Sequence, residues 1–160
     1  MTFHRSLVSS SLIPKISRNF GSKEEFSLMH ELKDAEDWNT KVISSEKMVF
    51  LQASADWCKP CQALKPMMQK ALKEHEKASE VSWVVFDIDQ HKELAQMLQI
   101  QGVPTVYAVN NGQLLTRFVG VPEGTGLKDF INDSFEKAKA QAEQAGQQAQ
   151  TEAHDKSKDE

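Results

Sequence analysis

Apolar residues recur along the middle of the chain in two rhythms, a period near two and a period near 3.6, and these alternate. Phe26, Leu28 and Leu32 predict a short strand, and Asp34 to Asp37 has N-cap spacing ahead of a helix that carries Trp38 and Val42. Met48 to Ala53 is an apolar run of strand length. Pro60 to about Lys77 predicts a helix with Leu64, Met67, Met68, Ala71 and Leu72 turned inward, and Pro66 is expected to kink it. Val81 to Ile88, rich in Val and aromatics, reads as a strand buried on both faces. Lys92 to Leu98 predicts a short helix. Thr105–Val109 and Gln113–Val119 flank Asn110-Asn111-Gly112, a hairpin turn signal. Leu127, Phe130, Ile131, Phe135 and Ala138 mark a final amphipathic helix. The expected order is βαβαβαββα over residues 24–138. Parallel strands joined by crossover helices, closed by an antiparallel hairpin, make an α/β fold with a mixed sheet covered on both faces.

The two ends have a different texture. The first 23 residues hold Arg5, Lys15, Arg18, Lys23 and six serines, with no acidic residue before Glu24. Leu12, Ile13, Ile16 and Phe20 can share one side of a helix. An Arg- and Ser-rich, acid-poor, amphipathic leader has the character of an organellar transit peptide, so residues 1–20 are expected to be one. Arg18-Asn19-Phe20 before Gly21 resembles a mitochondrial processing site. Its alternative is an ordinary basic tail. After Phe135 there is no aromatic residue and no Leu, Ile, Val or Met as far as Glu160. Residues 139–160 are therefore expected to form a polar, Ala/Gln-rich extension that prolongs the last helix as a solvated arm.

With 160 residues, of which 39% are hydrophobic and 26% charged, the chain has room for one core plus its ends. Its formal charge of −4 argues against a nucleic-acid-binding surface. Cleavage after Phe20 would remove Arg5, Lys15 and Arg18 and take that charge to −7. No apolar run approaches the ~20 residues of a transmembrane helix.

Only two cysteines occur, Cys58 and Cys61. A disulfide-stapled scaffold would use more of them. A structural zinc site needs about four ligands, and His4, His30, His75, His91 and His154 form no spacing that completes one, so no metal is expected. An isolated C-x-x-C pair reads as redox chemistry, and no cofactor is called for. Trp57-Cys58-Lys59-Pro60-Cys61 follows one predicted strand and opens a helix, whose first N–H groups and positive dipole end favour a thiolate. Cys58 is then expected to be the exposed attacking thiolate, and Cys61, one turn in, the resolving thiol. Pro60 occupies a position whose N–H would go unused, and Lys59 sets a cation beside Cys58.

These residues carry a resemblance to the thioredoxin family. The match comprises WCKPC, Pro66, Asp87-Ile88-Asp89, Gly102-Val103-Pro104-Thr105, Asn111-Gly112 and Gly120, and it covers about residues 25–138. With its leader, the chain is similar to mitochondrial members, which implies the mitochondrial matrix. The resemblance implies a three-layer sandwich and a protein dithiol–disulfide oxidoreductase. Its expected partners are protein disulfide substrates and a thioredoxin reductase as electron donor; a larger mitochondrial complex belongs to the alternative of an accessory subunit. It further implies that Pro104 is a cis-proline facing the cysteines, and that Trp57, Pro60, Val103, Pro104 and Gly120 receive the substrate.

The chain departs from the family pattern at four places. Lys59 replaces a glycine, Gln52 a buried aspartate that relays a proton to the resolving cysteine, Val85 the lysine partnering that aspartate, and Ser54 a tryptophan. Replacing both sides of a buried charge pair preserves a packed core, whereas removing one side is costly. Gln52 cannot take a proton, so turnover is expected to be slow. This motivates the alternative of an accessory or structural subunit in a mitochondrial assembly.

Overall fold

The computed structural model describes residues 28–155, with side chains through 146; Phe26 and the leader lie outside the described residues. β1 (Met29–Glu31) leads to α1 (Ala35–Trp38), which continues as a π-type turn over Asn39–Ile43. Asp34 caps α1 by accepting from Asp37 N–H at 2.9 Å, and the Asp37 carboxylate accepts from Lys33 N–H at 3.0 Å. The Lys41 ammonium, hydrogen-bonded to Asp37 at 2.8 Å, holds that carboxyl below its usual range. There follow β2 (Met48–Ser54), α2 (Lys59–Glu74), β3 (Val81–Asp87), α3 (Lys92–Met97), β4 (Thr105–Asn110), β5 (Gln113–Val119) and α4 (Gly126–Asp155).

The sheet order is β1-β3-β2-β4-β5. β1 and β2 both pair parallel with β3, while β4 runs antiparallel to β2 and to β5. The parallel direction expected for every strand reached through a helix is thus corrected at β4, which α3 delivers antiparallel to β2. Every residue of β2, the central strand, is buried. Successive side chains of a strand point to opposite faces, so each interior strand feeds two cores. Phe50, Trp83, Val85 and Val106 meet Leu64, Met68 and Leu72 of α2 and Leu127 and Ile131 of α4. Leu51, Val84, Phe86 and Tyr107 meet Val42 and Leu98 on the other face. The three layers and the predicted element order are both present. In the β4–β5 turn, Asn111 and Gly112 have φ of 49° and 73°. A Cβ on Gly112 would stand 3.0 Å from the Ile43 carbonyl, so the turn needs glycine for both reasons.

Some expectations are corrected. α2 stops at Glu74 rather than near Lys77, because His75 takes an extended conformation. Pro66 lies inside α2, as expected from the helix span. Met67, expected inward, is exposed, because the buried stripe runs through Cys61, Leu64, Met68, Ala71 and Leu72, and Met67 is about 100° from Met68. β3 ends at Asp87, one residue short of Ile88, because the Asp87 carboxylate turns the chain. α4 continues through residues 139–146 with every residue exposed.

Candidate active site

The site lies where the parallel strands end. Past β2 the chain turns at Asp56-Trp57, and Cys58 takes the N-cap position of α2 with φ −85° and ψ 98°. Its sulfur accepts from Cys61 N–H at 3.2 Å, as a serine or aspartate oxygen does at an ordinary N-cap. Lys59 and Pro60 begin the helix, both exposed. Pro60 contributes no N–H there, which leaves the Cys61 N–H as the one aimed at the sulfur. Cys58 and Cys61 are joined by a disulfide, with Cα atoms 5.3 Å apart. The same helix-end N–H that now meets a neutral sulfur would stabilise a thiolate after reduction.

The expected exposure of Cys58 is corrected. Cys58 is 2% exposed and Cys61 0%, because Ala55, Ile88 and Val103 pack against both. Cys58 remains the marginally more exposed of the two residues.

The peptide bond Val103–Pro104 is cis. Pro104 is buried, and its carbonyl accepts from Gly120 N–H at 2.8 Å. Gly120, at φ 86°, brings the end of β5 to this loop. Thr105 Oγ1 donates to Gly102 O at 2.6 Å and tightens the turn before Pro104. Trp57 is 67% exposed and fills no core. Its Nε1–H donates to Asp89 Oδ2 at 2.9 Å. Asp87 Oδ1 in turn accepts from Asp89 N–H at 2.7 Å and Gln90 N–H at 3.2 Å, so the turn after β3 fixes the indole.

Gln52 is fully buried on β2, paired with Val85 of β3 and Val106 of β4. Neither its Oε1 nor its Nε2 has a hydrogen-bond partner. It shares a strand face with Phe50 and therefore looks toward α2, whose first turn carries Cys61. Pro60 thus lies in the first turn of α2 with Trp57 just before it, Val103 packs against the cysteines, and Pro104 and Gly120 meet through their backbone hydrogen bond.

Two contributors escaped sequence reasoning. Asp89 was seen only as part of a motif, and its role as the anchor of Trp57 depends on a contact across 32 residues. Val119 is 63% exposed beside Gly102, since a Cβ on that glycine would lie 3.8 Å from Val119 Cγ1. An apolar residue ending an edge strand was the available signal. Among the described residues, no group of three or more His, Cys, Asp or Glu could hold a metal ion, and no helix is long and apolar enough to cross a membrane.

The Thioredoxin family model matches residues 29–133. A mitochondrial thioredoxin of Rattus norvegicus is 34% identical over 119 residues, covering 74% of this chain and 70% of its own. A mitochondrial thioredoxin-2 of Schizosaccharomyces pombe is 31% identical, covering 72% of this chain and 88% of its own. The solved structure of a Malassezia sympodialis thioredoxin superposes with a TM-score of 0.57 at 22% identity, covering 66% of this chain and 93% of its own. At that identity the likeness speaks for the fold alone.

Proposed function

The chain belongs to the thioredoxin family and is a dithiol–disulfide oxidoreductase, and from that premise we propose that it reduces disulfides of mitochondrial matrix proteins, with Cys58 as nucleophile and Cys61 as resolving thiol. The observation that carries these roles is the Cys61 N–H directed at Cys58 Sγ from the start of α2. In the reduced protein the Cys58 thiolate attacks one sulfur of the substrate disulfide and expels the other as a thiolate. Cys61, losing its proton, then attacks Cys58 Sγ, which regenerates the Cys58–Cys61 disulfide and frees the second substrate thiol. Two electrons and the Cys61 proton pass to the substrate, solvent supplies the second proton, and a thioredoxin reductase returns the electrons to the protein. Trp57, Pro60, Val103, Pro104 and Gly120 receive the substrate segment, while Lys59 and Gln52 tune the thiols.

The matrix assignment rests on the mitochondrial names of the relatives and on the composition of residues 1–20, with residues 24–138 as the working domain and 139–160 as an extension. Mature protein isolated from mitochondria should begin at Gly21. The decisive assay is insulin-disulfide reduction with NADPH and thioredoxin reductase, run on residues 21–160. Turnover that vanishes in Cys58→Ser supports the reading, and a wild-type chain without turnover overturns it. A second reading, an accessory subunit of a mitochondrial assembly, draws on the buried Gln52 and the exposed continuation of α4; it requires the same assay to show none.

A further inference from the structure

We propose that the cleft between α1 and α3 is a second docking point for protein disulfide substrates, seating one bulky apolar side chain three or four residues from the cysteine that Cys58 attacks. This rests on the dithiol reading above and adds a rule for the substrate. The cleft measures about 500 Å³ and is walled by Leu32, Trp38, Leu94 and Met97. Leu32 is buried, whereas Met97 is 63% exposed. An unbranched, polarisable side chain standing in solvent at the mouth of an apolar cleft is an adaptable wall for varied apolar groups. The rim mixes Asp34 and Glu93 with Lys92, so it selects no single sign of charge.

The fold places this cleft on the same end of the sheet as the disulfide. Leu32 and Asp34 follow β1, Gln90 and His91 follow β3, and Cys58 follows β2, and these three strands are parallel neighbours. Adjacent strands lie about 4.8 Å apart, so the end of β1 is roughly 10 Å from the end of β2. An extended segment advances about 3.3 Å per residue and covers that span in roughly three residues, or four with the step down between the helices. The route is continuous. The turn Asp87–Gln90 holds Trp57 beside Cys58 through Asp89, and its next residues, Gln90 and His91, line the cleft. A substrate lying against Trp57 is thereby directed along this turn into the cleft.

The test uses the full chain, reduced and freed of reductant, and disulfide-linked homodimers of a short Gly/Ser peptide with one cysteine. A single Leu is moved through positions one to six on either side of that cysteine. Each turnover oxidises one protein dithiol and releases two peptide thiols, which are counted by chromatography. The peptide concentration that gives half the maximal single-turnover rate is expected to fall roughly 3- to 10-fold with Leu at position three or four on one side, at an unchanged maximal rate. Met97→Glu and Ala35→Trp, both at exposed positions on the rim or wall, should remove that advantage, and loss in either one supports the proposal. Reduction of 5,5′-dithiobis(2-nitrobenzoate), too small to reach the cleft, should keep its rate in both variants. A flat Leu profile, or a preference that survives in both variants, overturns the docking point. Failure of the unmodified chain to reduce the small aromatic disulfide overturns the dithiol reading beneath it.

Discussion

Replacing Gln52 by Leu should make the oxidised protein more stable. The amide sits at 0% exposure between Val85 and Val106, with both of its polar atoms unpaired. Leaving a buried donor or acceptor without a partner costs about 1–3 kcal/mol. Leucine is close to the same size, keeps the apolar contacts with the α2 and α4 face, and removes both polar atoms. Imperfect fit in a packed core returns up to ~1.5 kcal/mol of that gain. The net expectation is stabilisation by up to about 3 kcal/mol, at roughly 4 °C in Tm for each kcal/mol in a domain of this size. Urea unfolding of the oxidised chain measures it directly. The midpoint should rise while the slope stays the same, since the surface exposed on unfolding is unchanged. A Gln52→Leu protein less stable than its parent by 1 kcal/mol or more would refute the reasoning, because the amide would then be satisfied in solution by ordered water and its burial would not be a cost.

The same position can be pushed the other way. Gln52→Asp should speed disulfide reduction by supplying the missing proton acceptor, and an unchanged rate at unchanged stability would displace Gln52 from its assigned place. Burial without a partner raises the folded pKa of this aspartate above its unfolded value of about 3.9, so its penalty is absent at low pH, grows as pH climbs through the folded pKa and is full above it. Denaturation at pH 4 and pH 8 checks that sign. Lys59→Gly should move the Cys58 thiolate absorbance to higher pH and the reduction potential to more negative values, by less than the ~30 mV that 1.4 kcal/mol represents for two electrons, because Lys59 is exposed and screened; movement in opposite directions defeats the charge argument. Limiting iodoacetamide should label Cys58 over Cys61 in reduced protein, and peptide mapping that finds mostly Cys61 reverses the roles. Asp89→Ala removes the acceptor of the Trp57 N–H, so KM for a protein disulfide should rise several-fold while stability changes by less than about 1 kcal/mol; unchanged KM would mean the indole holds its place without Asp89.

How much of this was legible beforehand follows from the range of the forces involved. Each element was announced by local signals, among them the Asp34 cap, the Asn111-Gly112 turn and the apolar runs of β2 and β3. Strand direction followed from the connections for β1, β2 and β3, which helices join as parallel strands, and for the tight β4–β5 turn, but not across α3, after which β4 enters antiparallel to β2. The misread details lie where a neighbour outside the segment decides. Met67 and Met68 are chemically alike, and only the position of the sheet relative to α2 determines which of them is buried. The end of β3 depends on Asp87 turning to cap the next two N–H groups. A period count carries no term for that.

The site divides along the same line. Its reagents were readable because a dithiol at a helix start is a local arrangement: Cys58, Pro60 and Cys61 lie within one turn, and the N–H that meets the sulfur belongs to the same turn. Its surroundings were not, because they come from three separated loops. Val103 and Ile88 close over the sulfurs from the ends of two different connections, and this packing makes Cys58 2% exposed rather than open. The consequence is kinetic. A nucleophile reached through a narrow opening depends on the substrate bringing its sulfur to one place, so the groups that align the substrate weigh as heavily as the thiolate itself. Under the proposed roles that alignment would rest on Trp57, which Asp89 holds in place. Under the same proposal the missing proton acceptor at position 52 and the fixed indole at Trp57 would act on different steps, the first on the departure of the substrate from Cys58 and the second on its arrival.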